Sequence, residues 1–258
     1  MITLFGLKFR YNKVMTKYKI NNSDFYNFIV GIRSYFDKNA TTIHKARNEL
    51  KVIHYNDVDT IVKSFKIPHL LNRLIYSFFR DTKAKKSYKN SLKIIQFVPK
   101  PIGYIEFYDF WLLKKSYFIS EKFDFDFTIR EPLLDNTFKD RENILRAFAR
   151  FTLRLHNSGI FHKDYSPGNI LIKKTKKEYI FKVVDINRME FKQLSQRNRA
   201  KGFAKLWAND DLLKIIADEY ALHYNVDKKF KNQVLYFSNK NRKIKNIKKR
   251  LKGQPVND

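Results

Sequence analysis

One stretch, Asn143 to Asp185, limits what this chain can become more than any other. An amphipathic helix is expected from about Asn143 to Asn157, ending at Ser158-Gly159, where glycine can take the left-handed position after a helix. A loop follows, His162-Lys163-Asp164-Tyr165-Ser166-Pro167-Gly168-Asn169, then apolar Ile170-Leu171-Ile172. A basic turn at Lys173 to Lys177 leads into a strand, Tyr179 to Val184, and the strand ends at Asp185. Helix, loop, strand, turn, strand, aspartate is the order that lets Asp164, Asn169 and Asp185 converge. Asp164 is the candidate general base for an attacking hydroxyl, a role typically worth about 10²–10⁴ in rate. Asn169 and Asp185 offer the oxygen ligands that Mg²⁺ requires when it is shared with nucleotide phosphates. His162 is expected to buttress the loop without touching substrate. The pattern points to phosphoryl transfer from ATP.

The 258-residue chain is long enough to bury a sizeable core. Its 53 basic and 25 acidic residues give a formal charge of +28, which implies an anionic partner. The absence of cysteine excludes disulfides, thiolate metal clusters and a thiol nucleophile. No run approaches eighteen apolar residues, and the N-terminus has no apolar segment with a small-residue cleavage site, so a cytoplasmic location, where ATP is, is expected.

Along the chain, apolar and aromatic positions alternate over the first forty residues, and a strand pair is expected from Ala40 to His54. Thr60 to Phe65 reads as a strand. Pro68 is expected to start a helix carrying Leu70, Leu71, Leu74, Ile75, Phe78 and Phe79 on one stripe. That stripe is expected to cover the sheet of the first half, with membrane contact through Arg73, Arg80, Lys83, Lys85 and Lys86 as the lesser reading. A second helix, about Thr82 to Gln96, is broken by Pro99 to Gly103, and strands follow near Tyr104 to Phe110 and Ser116 to Glu121. The expectation is an α+β, two-lobed fold of the protein-kinase-like class, with an antiparallel sheet and helices first and a mainly helical second lobe. The expected divisions are residues 1–122, 123–227 and a basic tail, 228–258.

The rest of the constellation lies in the first lobe. Lys63 follows Ile61-Val62 as a phosphate-holding lysine follows apolar residues on its strand, with Lys66 as runner-up. Glu121 ends the strand whose backbone is expected to hold adenine. Two parts are missing: no Gly-x-Gly-x-x-Gly loop is present, and no glutamate lies between Phe65 and Pro101 to pair with Lys63, Asp81 being the only acid there. After Asp185 the chain reads Ile-Asn-Arg-Met and no Ala-Pro-Glu follows, which argues for a small-molecule or glycan acceptor.

Four runs resemble the lipopolysaccharide core kinases: Val62-Lys63-Ser64-Phe65-Lys66-Ile67-Pro68, Asp126-Phe127-Thr128-Ile129-Arg130-Glu131, His162 to Asn169, and Val184-Asp185-Ile186-Asn187-Arg188-Met189. The resemblance spans about Ala46 to Tyr224 and is most specific in the last two runs. It implies an ATP- and Mg²⁺-dependent kinase of an inner-core sugar hydroxyl, 3-deoxy-D-manno-octulosonic acid (Kdo) before heptose, on the cytoplasmic face of the inner membrane. It gives the positive charge a target, since lipid A and Kdo are anionic and each Lys or Arg near an anionic leaflet is worth about 1 kcal/mol. Lys228 to Lys252 is then the candidate membrane contact. Arg188, Arg197 and Arg199 are candidates for gripping an acceptor carboxylate or phosphate. Two other readings stay open: a compact protein kinase, and a degenerate kinase serving as a nucleic-acid-binding or scaffold protein. Nucleic acid is the weaker partner, because the aromatic residues fall mostly at core-like positions.

Overall fold

A computed structural model describes residues 4–9, 14–38, 42–45, 48–67 and 69–255. The chain forms two compact units, Met1–Phe123 and Asp124–Asp258.

The first unit contains β1 (Leu4–Phe9), β2 (Val14–Ile20), α1 (Tyr26–Val30), α2 (Ile32–Lys38), β3 (Thr42–Lys45), β4 (Asn48–Tyr55), β5 (Val58–Phe65), α3 (Leu70–Phe78), α4 (Lys83–Lys93), β6 (Pro101–Asp109) and β7 (Leu112–Glu121). The strands form one antiparallel sheet in the order β1-β2-β6-β7-β5-β4-β3. Phe28, Ile29, Ile32 and Phe36 of α1 and α2 pack on one face against Val62, Ile105, Tyr117 and Ile119. Ala84 and Tyr88 of α4 pack on the other, against Phe65 and Tyr104. Covered on both faces, β6 is buried from Pro101 to Tyr108 without alternation. At Gly103 a Cβ would stand 2.4 Å from Ile29 Cδ1 and 2.5 Å from the Lys19 carbonyl oxygen, so glycine is what lets α1 and β2 close on β6.

The alternating pattern of the first forty residues suggests strands, yet Tyr26–Val30 and Ile32–Lys38 within it are α1 and α2. Their aromatic residues favour strands locally, and burial in the sheet's core overrides that preference. Thr82 caps α4 by accepting from the Lys85 N–H at 3.1 Å, and its hydroxyl donates to buried Glu106 at 2.6 Å. The Pro68 helix start lies outside the described residues, as do residues 40, 41, 46 and 47 of the expected Ala40–His54 strand pair.

The expected packing of α3 is overturned. Its polar side meets the protein: Arg73 Nε donates to the Leu113 carbonyl at 2.8 Å, and Ser77 Oγ accepts from the Leu113 N–H at 3.0 Å. Leu70, Leu71, Leu74, Ile75 and Phe78, with Phe79 beyond, face solvent. α1, α2 and α4 already cover the sheet, so the α3 stripe has no sheet to cover.

The second unit contains β8 (Phe127–Thr128), α5 (Arg130–Leu134), α6 (Arg141–Asn157), β9 (Ile160–His162), β10 (Ile170–Lys174), β11 (Tyr179–Val183), β12 (Met189–Phe191), α7 (Gln196–Gly202), α8 (Asp210–Leu222) and α9 (Phe230–Arg250). Around α6 the core holds Leu145, Phe148, Phe151 and Leu155, with Ile172, Phe181, Leu213, Ile216 and Tyr220 from other elements. Buried Glu219 of α8 accepts from Arg146 at 3.1 Å and from Arg150, tying α8 to α6. β10 pairs with β11 and β8, and β9 with β12. Gly159 takes φ +70° after α6, and its N–H donates to the His156 carbonyl at 3.0 Å.

The basic stretch set apart as a tail is largely α9. Phe230, Val234 and Phe237 are buried, and Asn241 Nδ2 donates to the Ala204 carbonyl at 2.9 Å. Its second half is charged and carries exposed Ile244 and Ile247. Among the described residues no helix is long and apolar enough to cross a membrane.

Candidate active site

The site in the second unit is built around one imidazole. His162 ends β9, nearly buried, and both ring nitrogens are engaged. The Asp164 backbone N–H donates to Nδ1 at 3.0 Å, and Nε2 lies 3.0 Å from the Val184 carbonyl oxygen. An N–H can only donate and a carbonyl can only accept, so Nδ1 is bare and Nε2 carries the proton. Burial pushes the imidazole pKa down, which keeps it in that neutral form. One ring thus fixes the start of the loop to the residue before Asp185.

Between them the loop folds on its own polar groups. The Ser166 N–H donates to the Asp164 carbonyl at 2.8 Å, and a 3-10 turn spans Pro167–Asn169. Asn169 Nδ2 donates to the Asp164 carbonyl at 2.9 Å and to Ser166 Oγ at 3.0 Å. Its amide nitrogen is spent on the loop, and its carbonyl oxygen is the atom that can act as a ligand. The Asn169 backbone carbonyl accepts from the Val184 N–H at 3.0 Å, so Asn169 and Asp185 are brought side by side. Tyr165 anchors the loop from below, its ring stacked on Phe148 and its hydroxyl 2.9 Å from Thr152 Oγ1.

Asp185 takes a left-handed backbone, φ 56° and ψ 46°, and accepts from Asn187 Nδ2 at 2.8 Å. Aspartate tolerates that conformation better than most side chains. Among the described residues no cluster of three or more His, Cys, Asp or Glu side chains could hold a metal. Asn169 and Asp185 nonetheless fit Mg²⁺. They supply hard oxygen donors from two adjacent residues, and Mg²⁺ usually takes its remaining ligands from phosphates and water.

A residue absent from the sequence reading completes the group. Lys205, just beyond α7, donates from Nζ to Asp164 Oδ1 at 3.0 Å and to the Lys163 carbonyl at 2.6 Å. No motif surrounds it, and 41 positions separate it from its partner. A hydrogen bond to a charged group is worth about 1.5–3 kcal/mol. Lys205→Met is therefore expected to lower kcat by roughly 10- to 100-fold with the nucleotide KM little changed, and Lys205→Arg to recover part of the loss. Steady-state kinetics check this, and an unchanged kcat in Lys205→Met would remove the role.

In the first unit Lys63 lies on β5, paired in register with Phe118, on the face that α4 covers. Its ammonium sits 5.5 Å from the Phe65 ring centroid. No acid lies on α4, and Asp81 just before it pairs with Lys85 and Lys89, each at 2.7 Å. Lys66 is exposed. Glu121 closes β7, its N–H donating to the Lys100 carbonyl and its carboxylate paired with Lys100, both at 2.8 Å.

Of the acceptor candidates, Arg188 and Arg197 are exposed, the latter over the Phe237 ring at 5.6 Å. Arg199 is not available. It is 7% exposed and donates to Asn157 Oδ1 at 2.8 Å and the Tyr220 hydroxyl at 2.9 Å. Its guanidinium also lies over Tyr224 at 4.0 Å, and its charge helps burial push His156 down to about 3. It is a core strut of the second unit, because sequence alone does not distinguish a buried arginine from an exposed one.

Residues 114–220, from β7 to α8, match the model of the lipopolysaccharide kinase (Kdo/WaaP) family. The match covers 107 of the 258 residues and is a likeness to that family over part of the chain. The matched stretch contains His162, Asp164, Asn169, Asp185 and Lys205. A solved structure of WaaP in complex with acyl carrier protein matches at a TM-score of 0.55 and 12% identity, covering 86% of this chain and 97% of that one. At that identity the likeness concerns the fold, which is kinase-like. The Rio2 kinase of Chaetomium thermophilum, solved as an ADP/Mg²⁺-phosphoaspartate complex, matches at a TM-score of 0.42 and 15% identity, covering 81% and 66% of the two chains. No curated protein matches the chain by sequence.

Proposed function

We propose that the chain transfers the γ-phosphate of ATP to a hydroxyl of Kdo in the lipopolysaccharide inner core, with heptose as the next acceptor. The observation that carries this is the tethering of Asp164, Asn169 and Asp185 through His162 and Val184. Asp164 accepts the proton of the sugar hydroxyl as its oxygen bonds to the γ-phosphorus and ADP leaves. Lys205 holds the Asp164 carboxylate in place. Mg²⁺ at Asn169 and Asp185 would neutralise charge on the phosphates. Lys63 for the α- and β-phosphates and Glu121 for adenine belong to the same proposal. Kdo is preferred because it bears a carboxylate, which the exposed guanidinium groups of Arg188 and Arg197 suit and a neutral heptose does not offer. The enzyme would work on the cytoplasmic face of the inner membrane, held at the anionic leaflet by part of its +28 charge. WaaP's complex with acyl carrier protein makes such a protein a candidate second partner.

The test is transfer from radiolabelled ATP, with and without Mg²⁺, to Kdo-lipid A, to a heptose-bearing acceptor and to a generic protein. Label on Kdo-lipid A alone, dependent on Mg²⁺, is expected. Label on the heptose acceptor alone would move the specificity. Label on the protein would replace the reading with a protein kinase, and none on any, with nucleotide bound, would favour a degenerate enzyme.

A further inference from the structure

α3 is turned inside out. Its half-buried Arg73, Tyr76 and Ser77 face the protein, while Leu70, Leu71, Leu74, Ile75 and Phe78 form one solvent-facing stripe that Phe79 continues. Leu71 is 76% exposed and Phe79 is 82% exposed. In water such a stripe is costly, and an exposed patch of this kind marks an interaction surface. The bonds of Arg73 and Ser77 to Leu113 fix α3 beside the tip of the β6–β7 hairpin. That tip is Phe110-Trp111, and Trp111 is 63% exposed. Both residues have positive φ, 46° and 66°, in a turn that Asn-Gly would fill without strain. Two bulky aromatic residues are thus held outward, at a backbone cost, next to an apolar helix that also faces outward.

The surroundings are cationic. A cavity of about 210 Å³ against α3 is lined by Lys66, His69, Lys83, Lys114 and Lys115, among others, and Arg80 is exposed at the helix end. Apolar side chains on a short helix, a tryptophan at the same edge and lysines around both match an anionic bilayer surface. The hydrocarbon takes the stripe, the interface takes Trp111, and the lipid phosphates meet the lysines.

We propose that α3 and the Phe110-Trp111 turn form a membrane-docking surface that inserts into the headgroup region of an anionic lipid bilayer. This deepens the membrane placement proposed above and rests on it, though not on the identity of the acceptor sugar.

The test uses the full chain with Trp207→Phe, which leaves Trp111 as the sole tryptophan. On vesicles of phosphatidylglycerol and phosphatidylethanolamine its fluorescence is expected to shift blue and to be quenched by brominated acyl chains. Phosphatidylcholine vesicles are expected to bind more weakly. Leu71→Ser with Phe79→Ser, both at exposed positions and so harmless to the fold, is expected to weaken vesicle binding at least about tenfold. Phosphate transfer to a deacylated, water-soluble acceptor is expected to stay unchanged in that variant. Unchanged vesicle binding in the double variant would overturn the proposal. So would binding of holo-acyl carrier protein, lost in the double variant, with no binding to any vesicle. Vesicle binding without phosphate transfer would support the docking surface and remove the kinase reading. Transfer without vesicle binding would do the reverse.

Discussion

Replacing Asp164 with alanine is expected to lower kcat by about 10²–10⁴ while leaving ATP affinity within a few-fold of the parent enzyme. The loop does not depend on that side chain. Its backbone N–H is held by His162 Nδ1, and its backbone carbonyl accepts from Asn169 and Ser166. On the proposed mechanism what is lost is the group that takes the hydroxyl proton, and with it the partner of Lys205. Single-turnover transfer measured beside equilibrium nucleotide binding separates the two effects. A loss of less than about tenfold, below the range for a general base, would sink the assignment.

Asp185→Asn is expected to be the second severe substitution. Asparagine is chosen because residue 185 has a left-handed backbone that asparagine tolerates and alanine does not. The exchange therefore removes a charge without straining the turn. A metal at a phosphoryl oxygen contributes several kcal/mol to the transition state, so transfer should fall roughly 10³-fold. The midpoint of a Mg²⁺ titration of nucleotide binding is expected to move up by about tenfold or more, as fits loss of a carboxylate ligand. If that midpoint stays put while activity falls, Asp185 acts on something other than the metal.

The placement of the His162–Asn169 loop beside Asp185 is legible because its information is local. His162, Asp164 and Asn169 lie within one loop, and Asp185 ends the adjoining hairpin, so spacing alone carried the geometry. Lys205 was invisible for the opposite reason. It reaches Asp164 through the packing of α7 and the turn that follows, which no short pattern encodes. The stripe on α3 was seen but aimed the wrong way, because periodicity reports that a helix has two faces and not which face meets the protein. Arg199 has the sequence position of a ligand-gripping group, but Asn157 and Tyr220 already satisfy it. Gly103 drew attention only as part of a helix-breaking segment. Its value lies in the Lys19 backbone and the Ile29 and Ile20 side chains that converge on it from elsewhere in the chain.

His162 has a consequence for how similar chains should be judged. It is a one-way strut, accepting at the Asp164 end and donating at the Val184 end. Lysine and arginine only donate, and an ionised carboxylate only accepts. A carboxamide has both polarities but not the imidazole's rigid placement of them on opposite sides of a ring. A chain with any of the charged residues at this position could keep both aspartates in its sequence and still lose their alignment in space. On the proposed mechanism, the two acidic residues have to be read together with the neutral ring that ties their segments to each other.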